Sequence, residues 1–119
     1  MARTELTVTD LVGPYPSLQP AANSLDVTFA AADVVNGNYF DASGEDILLM
    51  WNDGGASPFY VTISSVIDEK NRTGDITEYD VGIDEIAAFK LKNLGWRQTD
   101  GGIYVDAEDV AIKLAILKL

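Results

Sequence analysis

Apolar and polar residues alternate along this chain in short stretches, and glycine or asparagine turns separate them. Turn signals recur at Asn36-Gly37, Ser43-Gly44, Asp53-Gly54-Gly55, Thr73-Gly74, Gly82, Gly95 and Asp100-Gly101-Gly102. The runs between them are rich in Val, Ile, Thr, Tyr and Phe, which suit a pleated, half-buried surface. A period of two sends successive side chains to opposite faces of a strand, so each run offers one face to a core. The pattern predicts an all-β fold, a compact β-sandwich or β-barrel of jelly-roll or Ig-like type, rather than strands alternating with helices.

The clearest local unit spans residues 45–65. Ile47-Leu48-Leu49-Met50-Trp51 is a compact apolar run, and Asn52-Asp53-Gly54-Gly55 supplies residues that tolerate positive φ. Phe59-Tyr60-Val61-Thr62-Ile63-Ser64 then returns with alternation, which predicts a hairpin whose Phe59, Val61 and Ile63 face the core. Pro58, at the start of the return strand, removes no needed ladder bond. Further strands are expected over 6–12, 25–29, 76–81, 85–91, 102–106 and 110–117. The last has two readings. Asp109 and Lys113 would suit a helix, but Val110, Ile112, Leu114 and Ile116 alternate with smaller or charged residues, which favours a strand.

Gly13-Pro14-Tyr15-Pro16-Ser17-Leu18-Gln19-Pro20 holds three of the four prolines and so predicts an extended course outside any central sheet. It sets the β-prone stretch Thr4-Glu5-Leu6-Thr7-Val8-Thr9 apart from the rest. That stretch is either a first strand with its connector or an arm that adds a strand to a neighbouring subunit's sheet. The second alternative divides the chain into an extended arm and Pro-rich connector over 1–20 and one β domain over 21–119.

Composition narrows the chemistry. The 119 residues include neither histidine nor cysteine, which excludes imidazole bases, thiolate nucleophiles, disulfides and the usual zinc sites. This length suits one domain with a core of its own. The apolar run 47–51 is far shorter than the roughly 20 residues that span a bilayer, and residues 1–5 lack a secretory signal's apolar centre, so neither a membrane nor export is expected. The formal charge is −11, with one base against nine acids through Asp68 and seven against ten thereafter. Such a surface repels phosphate backbones, so nucleic acid is not expected as a partner. The acidity reads as a solvated exterior or as a face that meets a basic partner.

Within those limits the remaining candidates are few. Glu45-Asp46, Asp84-Glu85 and Glu108-Asp109 are adjacent pairs, but strand neighbours point to opposite faces, so they read as solubilising groups rather than a catalytic pair. Asp33, Asn36, Asn38 and Asp41, and likewise Asp68, Asn71, Asp75 and Glu78, carry oxygen donors of the kind calcium takes, without the EF-hand spacing. Turn geometry accounts for such residues equally well, and no metal or cofactor is expected. Trp51, Trp96, Tyr60 and Tyr104 would make a sugar-stacking platform if they shared a face. Neither a nucleophile elbow nor a phosphate-binding glycine loop is present.

Several stretches together resemble short structural proteins of tailed bacteriophages, of the head-decoration type that stabilises the capsid. They are Val8-Thr9-Asp10-Leu11-Val12-Gly13-Pro14-Tyr15-Pro16, Asn36-Gly37-Asn38-Tyr39-Phe40, Glu45-Asp46-Ile47-Leu48-Leu49 with Asn52, Val61-Thr62-Ile63-Ser64-Ser65-Val66, Arg72-Thr73-Gly74-Asp75-Ile76-Thr77 and Gly95-Trp96-Arg97-Gln98. The resemblance implies a non-enzymatic virion protein, made in the host cytoplasm, that binds the major capsid protein on the outside of the shell. It also implies a homo-oligomer, with a trimer favoured, and an N-terminal segment that pairs with the capsid through Leu6, Val8, Leu11 and Tyr15. The alternatives are a neck or tail structural protein, or a carbohydrate- or calcium-binding β-sandwich for host attachment.

Overall fold

The computed structural model describes residues 2–11, 26–67 and 69–119. These form ten strands: β1 (Thr4–Glu5), β2 (Val8–Asp10), β3 (Ala30–Ala31), β4 (Asn38–Asp41), β5 (Asp46–Asn52), β6 (Phe59–Ile63), β7 (Ile76–Val81), β8 (Ile86–Leu91), β9 (Gly102–Ala107) and β10 (Ile112–Lys118). No helix occurs among the described residues, so none there is long and apolar enough to cross a membrane. Sheet I has the order β1-β4-β9-β6-β7, and sheet II the order β2-β10-β5-β8 with β3 also on β10. The two sheets pack as a sandwich, and no barrel closes.

Alternation decides which side of each strand is buried. In β5, Asp46, Leu48, Met50 and Asn52 are buried while Ile47, Leu49 and Trp51 between them are half-buried on the outer face. Phe40, Val61, Ile63, Ile103 and Val105 of sheet I meet Leu48, Met50, Leu91, Ile112, Leu114 and Ile116 of sheet II, all at 1% exposure or less. Burying side chains of this size is worth roughly 1.5–3 kcal/mol each, so this layer is the main source of stability. Residues 110–117 take the strand reading from Ile112 onward.

Residues 45–65 do not form a hairpin. β5 pairs with β8 and β10 in sheet II, whereas β6 pairs with β7 and β9 in sheet I. The six residues between them cross from one sheet to the other, and neither Gly54 nor Gly55 takes a positive φ. Asn52 holds this crossing. Its buried side chain donates to the carbonyls of Ser57 and Val81, both at 3.0 Å, and accepts from the Gly54 N–H at 3.0 Å. An amide that satisfies three backbone groups of a crossover replaces the tight turn that the glycines suggested.

Two other expectations shift. Residues 26–29, foreseen as a strand, are not one; the short strand follows at Ala30–Ala31, where β2 on Ile116–Lys118 leaves Lys113 and Leu114 of the β10 edge for β3. Asn38–Asp41, read as turn or calcium ligands, is a strand of sheet I with Asn38 and Phe40 turned inward. Val12, Tyr15, the rest of the proline segment, Leu25 and Asp68 lie outside the described residues.

Candidate interaction surfaces

The described part of the N-terminal stretch lies on the body of the domain. β1 runs parallel to β4, β2 runs parallel to β10, and Leu6 between them is 3% exposed inside the core. Val8 packs against that core, and Leu11, whose N–H donates to the Lys118 carbonyl at 2.8 Å, is exposed. Of the four expected contact residues, Leu11 alone among the described three is turned to solvent.

A polar cluster clamps this stretch down. The Thr4 and Leu6 N–H groups donate to the carbonyls of Gly37 and Tyr39, and the buried Asn38 amide donates to the Thr4 carbonyl at 3.3 Å. Arg3 forms a two-pronged pair with Asp106 at 2.9 and 3.2 Å, donates to the Asn38 carbonyl, and stacks 4.2 Å above the Tyr104 ring. Gly37 suits this place because its φ is +78°, where other residues are strained, and the Arg3 and Asp106 side chains close over it. The Tyr104 hydroxyl donates to Asp100, which holds that carboxyl below the usual range and pushes the phenol up. Ala2, Arg3, Tyr39, Asp100 and Tyr104 line a shallow cavity of about 340 Å³ on this outer face of sheet I.

The first calcium candidate is a turn. The Asp33 carboxylate accepts from the N–H groups of Val35 and Asn36, from the Asn36 amide and from the Thr4 hydroxyl, which lowers its pKa, the Thr4 bond most of all. In the second group, Asp75 accepts from the Ser65 N–H and hydroxyl, while Asn71 and Glu78 take positive φ. Among the described residues no three acidic side chains gather closely enough to hold a metal. Asp46 is no solubilising group either: it is fully buried and accepts from the Ser43 N–H and hydroxyl, while its neighbour Glu45 stays outside near Lys90 and Lys92.

The four aromatic candidates part company. Tyr60 and Tyr104 lie on the outer face of sheet I, Trp51 on that of sheet II, and Trp96 packs against the core from a loop. The stretches around Ser65, Arg72 and Trp96 do converge, lining a cavity of about 230 Å³ at one end of the sandwich.

The outer face of sheet II has a different character. Ladder pairing sets Leu117, Ile47 and Lys90 in one row, Ala115, Leu49 and Ala88 in the next, and Lys113, Trp51 and Ile86 in a third. Phe29, one residue before the β3–β10 pair, reaches the Trp51 ring edge-on at 5.6 Å. The result is an apolar row with two lysines in which Ile47, Leu49, Trp51 and Leu117 are half-buried and Ala115 is buried. No family model matches the chain, and no curated protein or solved structure does.

Proposed function

We propose that this chain is a non-enzymatic structural protein of a phage virion, one that binds the exterior of the capsid and stabilises the shell. The observation that carries the reading is the contrast between its two outer faces. Sheet II offers Ile47, Leu49, Trp51 and Leu117 with Phe29, a surface suited to burial against the major capsid protein. Sheet I offers tyrosines and carboxylates locked to one another and to Arg3, a surface suited to water. A net charge of −11 keeps many copies on one particle soluble and apart from other particles. Leu11, exposed beside the β2 edge, lies next to the capsid-facing side in this arrangement.

The energetics are those of mass action. A ligand that binds only the assembled lattice stabilises it by RT ln(1 + [L]/Kd), about 2.7 kcal/mol per site at a hundredfold excess over Kd. Repetition over a shell multiplies that gain. Purified protein mixed with expanded, undecorated capsids is expected to co-sediment, and Leu49→Asp with Leu117→Asp is expected to abolish the association while the fold persists. Absence of co-sedimentation of the wild-type protein at every salt concentration would overturn the reading.

A further inference from the structure

Among the described residues, three edges of the sandwich are short, bulged or acidic and the fourth, β8, pairs with no further strand. β1 is two residues long, and β2 and β3 share the β10 edge in pieces of three and two. β7 is long enough to pair but is bulged: Val61 faces Tyr79 while Ile63 faces Ile76, and Glu78 in the extra position has a φ of +51°. Glu78 and Asp80 add charge to it. Short strands, bulges and charged side chains, lysine above all, are the standard means of keeping a sheet edge from pairing. β8 is six residues long and unbulged, and Lys90 is its one charged side chain. Ile86-Ala87-Ala88-Phe89-Lys90-Leu91 runs six residues without proline or glycine, in unbroken register with β5.

The hydrogen bonds of β8 show which groups remain available. Asn52 directs its N–H and carbonyl toward Glu85 and Asp84, so along β5 every second residue bonds toward β8. Ala87, Phe89 and Leu91 therefore bond to β5, and the N–H and carbonyl groups of Ile86, Ala88 and Lys90 face the open edge. Among the described residues no strand pairs with that edge. Ile86 beside it is 59% exposed.

We propose that the β8 edge is a self-pairing site whose occupant is the β8 strand of a second copy of this chain, antiparallel about a two-fold axis through Ala88. The strand is complementary to itself in that register. Ala88 faces Ala88 and Ile86 faces Lys90 of the second copy, so all three residues with outward backbone groups pair with one another and form six hydrogen bonds. Side-chain parity is kept as well: Ile86, Ala88 and Lys90 share the outer face, and Ala87 and Phe89 share the inner one, where both pack against the core. The Lys90 stem lies over Ile86, and Lys92 comes level with Asp84 of the second copy at both ends of the pair. A one-residue slip would set inner side chains against outer ones. Pairing would also join the apolar outer faces of two sheets II into one floor. The inference stands on the edge alone and does not depend on capsid binding.

The test combines sedimentation velocity with amide hydrogen exchange on the full chain over a wide range of concentration. The expected result is a shift from monomer to dimer as concentration rises, with the amides of Ile86, Ala88 and Lys90 becoming protected over the same range. Ile86→Lys sets like charges against Lys90 of the second copy and is expected to weaken association by about tenfold or more. Ala88→Pro removes an outward N–H that the monomer does not use, and is expected to weaken it at least as much. Ile86 is exposed, so Ile86→Lys keeps the fold and decides the matter if Ala88→Pro does not. A mass that stays monomeric throughout would overturn the proposal. So would an oligomer whose three edge amides exchange as fast as in the monomer, or association unchanged by Ile86→Lys. Protection of those amides only on adding a different protein, such as isolated capsids, would overturn the second copy as the occupant.

Discussion

On the outside of sheet I, Arg3, Tyr104, Asp100 and Asp106 hold one another through ion pairing, stacking and hydrogen bonds, while on the outside of sheet II Trp51 meets Phe29 above a row of aliphatic side chains. Both faces come from the same alternating pattern of strand residues. They differ because the outward positions of sheet I hold tyrosines and carboxylates, which Arg3 ties together, whereas those of sheet II hold aliphatic residues and Trp51. A polar face organised around a single cation is specific in geometry and sensitive to salt and pH, whereas an apolar face is sensitive to neither and gains from being covered. One molecule thereby carries a polar, cross-linked outer face and an apolar one.

The largest effect is expected at the crossing that joins the two sheets. Asn52→Ala leaves the carbonyls of Ser57 and Val81 and the Gly54 N–H without their partner in a buried place, at a cost of about 2–4 kcal/mol in urea unfolding. Both faces should loosen together. Trp51→Ala acts on sheet II alone: losing a large, half-buried aromatic side chain costs about 2 kcal/mol, with no dependence on salt. Arg3→Ala acts on sheet I alone. Its pair with Asp106 is partly exposed, 26% and 43% by side chain, so the expected loss is about 1 kcal/mol and shrinks as salt rises. If the two variants showed the same salt dependence, the contrast between the faces would fail.

The smallest effect is the pH profile. Asp33, Asp75 and Asp100 are held below the ordinary carboxylate value by hydrogen bonds, from Thr4, Ser65 and Tyr104 respectively in first place. Their contribution is therefore present above about pH 4 and is lost as pH falls through the depressed values. Tyr104, raised chiefly by its bond to Asp100, and Tyr39, raised chiefly by desolvation, act in the opposite direction. Their contribution is complete below about pH 10 and is lost as pH rises through the raised values. Urea midpoints measured across pH should fall at both extremes, and Asp100→Asn should flatten both limbs while Trp51→Ala leaves the profile's shape unchanged.

Much of the fold was legible because it follows from a local rule. Val61 and Ile63 are buried and Tyr60 and Thr62 half-buried, as a period of two demands, and Ile112, Leu114 and Ile116 are buried on the same ground. Pairing was not legible. Ile47–Trp51 and Phe59–Ser64 look like hairpin partners because they are close in sequence and joined by glycines, yet a buried Asn52 carries the chain across the sandwich instead. Asn38–Asp41 was missed as a strand because its polar ends resemble a turn, and Asn38 is buried only because it serves the Asp33 N–H and the Thr4 carbonyl. The interaction surfaces were hardest to see. Leu6 and Leu11 are equivalent in composition, and only the passage of the chain between the sheets buries the first and leaves the second exposed.

The sequence by itself determined the period, and with it an all-β fold of sandwich or barrel type, the inward sets of β6 and β10, and a chain that carries neither imidazole nor thiol chemistry. Those follow from side-chain chemistry and strand geometry acting on neighbours. Only the tertiary structure decided that the N-terminal stretch lies on its own sheets, that Arg3 organises one outer face, and that β8 pairs on one side alone among the described residues. Each of these depends on which residues meet across long separations in the chain, such as Arg3 with Asp106, and that is decided by the joint burial of two sheets rather than by any local pattern.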